Sequence, residues 1–191
     1  MKSTRPTRSL PGTCEICILA GGLSSRMGLD KASLRVGGRT LLGRVRSTVR
    51  RTGVPHRVIR RDLVPRCGSL GGVYTALATS CARTILFLSC DMPFVSTDLV
   101  QSLLSRSSRR NNALFLRENG RIGFPFLLSR ATLAVVEQQL AARQFSLHQL
   151  ARVLRARTLC LPRGRAQELF NINTPAELKI ARKQWHGMRD R

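Results

Sequence analysis

The stretch Leu19-Ala20-Gly21-Gly22-Leu23-Ser24-Ser25-Arg26-Met27-Gly28-Leu29-Asp30-Lys31 puts small residues, then an arginine, an acid and a lysine, directly after the apolar run Ile16-Cys17-Ile18-Leu19. The apolar run reads as a short buried strand. Glycine lets a backbone approach a ligand closely. Successive backbone N–H groups in such a loop can cradle phosphate oxygens, and Arg26 and Lys31 are placed to neutralise phosphate charge. The chain has 33 Lys+Arg, yet its only lysines are Lys2, Lys31, Lys179 and Lys183. A chain that elsewhere relies on arginine, but has a lysine at the end of this loop, points to a contact that needs a compact ammonium and not a planar fork. The chemistry that fits is binding of a nucleoside triphosphate and transfer of its nucleotidyl group.

The acids are the second clue. The chain has only 10 Asp+Glu, and Asp30, Asp62 and Asp91 fall in or beside glycine- or proline-marked loops. Asp91 follows the apolar run Thr84–Cys90 and precedes Met92-Pro93. A carboxylate at a strand's end beside a phosphate loop is placed to hold Mg²⁺, which binds through one or two carboxylates plus substrate phosphates. Asp62 precedes Leu63-Val64-Pro65, where an acid is equally at home as a turn residue.

These residues need a scaffold. Thr40–Thr52 has apolar residues at helical spacing (Leu41, Leu42, Val45, Val49) and ends at Gly53-Val54-Pro55. Val58-Ile59 is too short to read as a strand. Pro65–Gly72 reads as a turn-rich loop and Val73–Cys81 as a helix. Thr84–Cys90 is a buried strand, and Ser96 or Thr97 caps a helix to Arg106. Asn111–Arg117 and Phe124–Leu128 read as strands about an Asn119-Gly120 turn. Helices are expected over Thr132–Arg143, with Val135, Val136 and Leu140 inward, and from Ser146 to Arg155. Arg157–Leu161 is a short strand. Thr174-Pro175, with Glu177 in the first turn, opens a last helix. Alternating strands and helices imply an α/β fold, three layers α/β/α around a mainly parallel central sheet. Ligands bind at the carboxyl ends of the strands in such sheets, where the 21–31 loop and Asp91 both fall.

At 191 residues and 42% hydrophobic content, one domain with a substantial core is expected. Residues 1–13 read as a disordered basic tail, 14–185 as the domain and 186–191 as a C-terminal tail. No apolar run approaches the roughly 20 residues that span a bilayer, and the basic N-terminus is not followed by a signal-like apolar segment. A cytoplasmic protein with no membrane partner is expected. The net charge of +23 is spread along the chain as single and paired arginines, which argues against nucleic acid as the main partner. Cys14 and Cys17 form a C-x-x-C that no second pair or histidine completes into a zinc set. The six cysteines are expected to be reduced and mostly buried, and His56, His148 and His186 show no ligand spacing.

Four segments together resemble the molybdenum cofactor guanylyltransferase family. They are Leu19-Ala20-Gly21-Gly22 through Arg26-Met27-Gly28-x-Asp30-Lys31, then Cys67-Gly68-Ser69-Leu70-Gly71-Gly72, then Ser89-Cys90-Asp91-Met92-Pro93, then Asn171-Ile172-Asn173-Thr174-Pro175. The resemblance implies a Rossmann-like nucleotidyltransferase fold. It implies joining of GMP from GTP to molybdopterin with release of pyrophosphate, with Mg²⁺ as cofactor. It also implies, as partners, proteins of molybdenum cofactor biosynthesis or acceptor enzymes. Residue by residue, it sets the backbone of Leu19, Ala20, Gly21 and Gly22 against the guanine and phosphates, Lys31 on the triphosphate, Asp62 near the nucleoside and Asp91 on Mg²⁺. Glycine at Gly21, where CTP-using relatives tend to have alanine, implies a purine. The chain departs from the family at Ser69, where proline is usual. It also departs at Thr52–Arg61, where the family usually has a strand bearing an asparagine and then a helix. The ten residues here are too few for both, so one wall of the guanine pocket is expected to be missing or rebuilt by arginines. The alternatives are another nucleotidyltransferase of this fold, using CTP or a sugar phosphate, or a non-catalytic nucleotide- or nucleic-acid-binding protein.

Overall fold

The computed structural model describes residues 14–21, 30–107, 112–118, 120–162 and 164–189. Gly22, Arg26, Asn119 and the tail 1–13 lie outside the described residues. In chain order the elements are β1 (Cys14–Leu19), a short helical turn Lys31–Ser33, β2 (Arg35–Val36), β3 (Arg39–Thr40), α1 (Leu41–Arg50), β4 (His56–Ile59), α2 (Gly68–Thr79) and β5 (Thr84–Ser89). Then come α3 (Thr97–Leu104), β6 (Ala113–Glu118), β7 (Arg121–Ser129), α4 (Leu133–Ala141), α5 (Leu147–Val153), β8 (Arg157–Cys160) and α6 (Pro175–Arg189).

Six strands form one sheet in the order β4-β1-β5-β7-β6-β8. β1 runs parallel to β4 and β5, and β6 parallel to β8. β7 alone is antiparallel to its neighbours β5 and β6. The sheet is therefore mainly parallel, as the alternation of elements implied, and it is covered on both faces. Successive strand residues point to opposite faces, and the buried side chains divide accordingly. Ile16, Ile18, Leu86 and Leu88 pack with Val45 and Val49 of α1 and Leu99 and Leu103 of α3. Cys17, Leu19, Ile85 and Phe87 pack with Leu70, Val73 and Leu77 of α2, Val136 of α4 and Leu150 of α5. Each fully buried side chain of this kind contributes about 1.5–3 kcal/mol. A third cluster, Val36, Leu41, Phe94, Ile172, Leu178 and Ala181, seats α6 on the β2–β3 hairpin.

Side chains cap the helix starts, at Ser96 and Thr174 as read in the sequence and at Thr40 besides. Thr40 Oγ1 accepts from Gly43 N at 3.0 Å, and Ser96 Oγ from Leu99 N at 3.0 Å. Thr174 and Glu177 form a reciprocal pair at α6. Thr174 Oγ1 accepts from Glu177 N at 3.2 Å, and Glu177 Oε2 accepts from Thr174 N at 2.8 Å.

Several elements differ from the sequence reading. His56–Ile59 is a strand, because β1 supplies parallel hydrogen-bond partners along its whole length; four residues carry too little local pattern to show this. α2 starts at Gly68, so Gly68–Gly72 are helical and not loop. α6 continues past residue 185 to Arg189, through most of the stretch read as a tail. In α4 only Val136 of the three apolar residues expected inward is fully buried, together with Gln139. All six cysteines are free, but only Cys17, Cys67 and Cys90 are buried, and Cys81 and Cys160 are exposed.

Candidate active site

The carboxyl ends of β1, β4 and β5 are tied together just above the sheet. Ala20 N donates to Ile59 O at 2.8 Å, and Cys90 N to Leu19 O at 3.0 Å. Above them lies a cavity of about 280 Å³. Leu19, Ala20, Gly21, Lys31, Asp62 and Asp91 all line it, so six of the eight residues singled out in the sequence meet here; Gly22 and Arg26 fall in 22–29, outside the described residues.

Lys31 is the hub. Its Nζ lies 3.3 Å from Asp91 Oδ2 and 2.7 Å from Asn173 Oδ1. Both partners are held from behind. Asp30 caps the Lys31–Ser33 turn by accepting from Ala32 N at 3.0 Å. Ile172 N donates to Asp91 O at 3.0 Å, and Asn173 N to Glu177 Oε2 at 2.6 Å. The first turn of α6 thereby fixes the asparagine that holds a lysine from the other end of the chain. Asp91 Oδ1 is buried and has no hydrogen-bond partner, although buried oxygens of this kind are normally paired.

Asp62 sits against α2. A Cβ at Gly71 would fall 2.9 Å from Asp62 Oδ2 and 2.8 Å from Val64 O, so only glycine lets the helix approach the loop. Leu63 N donates to Thr75 Oγ1 at 2.8 Å and holds that loop in place. Burial pushes the Asp62 carboxyl above its ordinary range. Gly68 and Ser69, at the start of α2, also line the cavity. Cys67, at the cap position, makes no side-chain cap hydrogen bond, so the first backbone N–H groups of α2 are free for an anion.

The Thr52–Arg61 segment contributes no lining residue to the cavity, but its end packs against Gly21. A Cβ at Gly21 would meet Arg60 O at 2.7 Å. Pairing of β4 with β1 thus demands glycine at this position for a backbone reason, independent of any base. The Arg60 guanidinium reaches to 3.9 Å from Asp30 Oδ2. Cys90 lines the cavity too, but burial, with Asp91 beside it, pushes its thiol to about 12. It is a neutral side chain, not a nucleophile.

Sequence reasoning assigned no role to Asn173, Phe124 or Ser69. Asn173 stood in a quoted motif, so a signal existed, but its partner Lys31 is 142 positions away. Phe124 carries no local signal; the β6–β7 hairpin brings it in.

Among the described residues no group of three or more potential metal ligands is gathered, and no helix is long and apolar enough to cross a membrane.

Residues 16–159 match the MobA-like NTP transferase domain. A molybdenum cofactor guanylyltransferase of Xanthomonas euvesicatoria is 32% identical over 173 residues, covering 84% of this chain and 89% of the relative. The fold is similar to that of a nucleotidyl transferase from Methanothermobacter, with a TM-score of 0.73 at 20% identity over 92% of this chain and 99% of that one. It is also similar to molybdopterin-guanine dinucleotide biosynthesis protein A from Archaeoglobus fulgidus, with a TM-score of 0.70 at 19% identity over 91% and 99%. The architecture is thus the Rossmann-like nucleotidyltransferase fold, and the chain belongs to the MobA-like NTP transferase family.

Proposed function

We propose that this protein transfers GMP from GTP to molybdopterin and releases pyrophosphate, forming the guanine dinucleotide form of the molybdenum cofactor. The observation that carries this reading is the Lys31–Asp91–Asn173 cluster at the carboxyl ends of β1 and β5, in a chain of this family. A terminal phosphate oxygen of molybdopterin attacks the α-phosphorus of GTP, and the bond from that phosphorus to the bridging oxygen breaks. No covalent enzyme intermediate is required.

Lys31, partly buried with its side chain 19% exposed, neutralises charge on the triphosphate in a site where water screens little. The backbone at Leu19, Ala20, Gly21 and Gly22 and the free N–H groups at Gly68 and Ser69 receive the nucleotide. Asp62 offers two acceptor oxygens to the nucleoside. Arg26 is a further candidate for the phosphates. The unpartnered Asp91 Oδ1 suits a cation, and a single carboxylate plus substrate phosphates is an ordinary Mg²⁺ donor set, so Asp91 would hold it. Bound Mg²⁺ would supply charge neutralisation on the phosphoryl oxygens.

Phe124 lines both this cavity and a second one of about 520 Å³. Arg121 and Asn171 also line the second cavity, and Asn171 Oδ1 is buried without a partner. This is where the acceptor is placed, with Arg121 toward its phosphate and Asn171 toward a pterin N–H. A cytoplasmic setting, with cofactor-biosynthesis or acceptor proteins nearby, suits a chain whose six cysteines are free.

The test is pyrophosphate release from GTP, CTP and ATP, each with and without molybdopterin. Release with GTP and dependent on molybdopterin is expected. Release with CTP alone, or with a sugar phosphate in place of molybdopterin, overturns the assignment within the fold; no release with any pair makes the chain a binding protein.

A further inference from the structure

A third cavity, of about 640 Å³, lies beyond the segment that follows Asp91 and shares no lining residue with the nucleotide cavity. α1, residues 93–97 and Trp185 of α6 wall it. Arg39, Arg44 and Arg51 line it, and no acidic residue does. Arg44 is buried. Its guanidinium lies 3.5 Å from the centroid of the Trp185 ring and donates to the carbonyls of Val36 and Gly37. All these partners are formally neutral, and no ion pair among the described residues includes Arg39, Arg44 or Arg51. A buried cation without a counter-charge is costly. The surrounding field agrees: burial, and after it Arg39, lower the Arg44 pKa. In the same wall Trp185 Nε1 is buried and donates to nothing. Hydroxyls of Ser47 and Thr97 complete the lining.

We infer that this cavity is a second anion site, taking a phosphate-bearing small molecule whose negative charge is the missing partner of Arg44, Arg39 and Arg51. Guanidinium forks match phosphate oxygens two at a time. The concave shape, and a volume within the roughly 300–1,000 Å³ usual for small ligands, favour a compact diphosphate over a polymer. Either inorganic pyrophosphate or the phosphate tail of a nucleotide presents that chemistry. Because the wall at Pro93–Thr97 continues directly from Asp91, a ligand here sits one short segment away from the catalytic carboxylate.

The experiment is calorimetric titration of inorganic pyrophosphate into the nucleotide-free full chain. Two binding events are expected, one of them at this cavity. The double variant Arg39→Gln/Arg51→Gln, and separately Ser47→Glu, which puts a carboxylate beside Arg39, should each weaken that binding by about tenfold or more. Lys31→Ala should leave it unchanged. Arg39 and Arg51 are exposed and Ser47 is half-buried, and circular dichroism checks that the variants fold. ADP as a second probe identifies the source: tighter binding than pyrophosphate means a nucleotide, equal binding means the diphosphate alone. A single event that Lys31→Ala weakens and the arginine variants leave unchanged would overturn the site. So would binding of a short DNA duplex, sensitive to those variants, where pyrophosphate does not bind, since the face would then be a nucleic-acid surface.

Discussion

Lys31 and Arg44 are both cations held in partly enclosed surroundings, and they are held in opposite ways. Lys31 is met by a carboxylate, by a side-chain amide and by an open cavity. Its partners are side chains and not backbone, and Asp91 Oδ1 is left without a hydrogen bond. Arg44 is met by backbone carbonyls and an aromatic face, which cannot move without moving the β2–β3 hairpin and α6. The difference teaches that charge alone does not mark a catalytic residue in an arginine-rich chain. The proposed transfer uses Lys31, whereas Arg44 is built into the scaffold.

The sharpest test sets the two against each other. Lys31→Ala should lower turnover by about 10²–10³-fold, and Lys31→Arg should also impair it, because a planar fork does not replace a point charge here. Thermal unfolding should barely change. Steady-state pyrophosphate release and a melting curve on the same preparation decide this, and a Lys31→Arg enzyme as fast as the parent breaks the argument. Asp91→Asn should remove Mg²⁺-dependent activity to a similar extent without unfolding the chain. Lost stability with normal activity in the folded fraction would make Asp91 a turn residue only.

Arg44→Leu and Gly37→Ala should do the reverse. Gly37 has φ +54°, and a Cβ there would fall 1.9 Å from Trp185 Nε1, so the Arg44–Trp185 stack depends on it. A loss of about 1–3 kcal/mol in denaturant unfolding is expected for each, with nucleotidyl transfer by the folded fraction retained. A catalytic collapse in either variant without lost stability would place Arg44 in the chemistry after all.

Gly21→Ala tests the short β4 segment. The added methyl meets a backbone oxygen that cannot step aside, so a smaller loss of stability and weaker GTP binding should appear together. Unchanged stability with relaxed preference between GTP and CTP would favour the base as the reason for glycine. The guanine preference of the parent should be real but within roughly a hundredfold, as read by nucleotide titration.

The smallest effect concerns pH. Burial pushes the Glu168 carboxyl up, but hydrogen bonds from Arg165 and Ser96 outweigh it and hold it below its ordinary value. An acid whose pKa is lowered on folding contributes stability above its unfolded pKa and loses it as pH falls through the folded one. The parent should therefore be more stable than Glu168→Gln near neutral pH and lose that advantage as the pH falls below about 4.5. An advantage that is absent at neutral pH, or that persists undiminished at about pH 3, would refute this.

How much of this was legible before folding differs by residue. Lys31 and Asp91 were visible because lysines and acids are rare in this chain and these follow apolar runs that announce strand ends, whereas Asp62 stood out as an acid at a loop and through the family resemblance. The strand at His56–Ile59 was not, since its order comes from a ladder with β1 and not from its own residues. The start of α2 was misread because glycines usually signal loops, whereas here two of them let a helix lie against Asp62. Asn173 was visible as part of a motif but had no role until α6 brought it to Lys31.

The amino-acid sequence by itself determined the alternation of strands and helices, the caps that start them and the family motifs, because these depend on neighbours in the chain and on periods of two or three to four residues. Tertiary structure alone decided which charges have partners. The pairing of Lys31 with Asp91 and Asn173, the idle oxygen of Asp91 and the isolation of Arg44 beside Trp185 all join segments far apart in sequence. Coulomb and hydrogen-bond energies depend on distance in space, which no local pattern encodes.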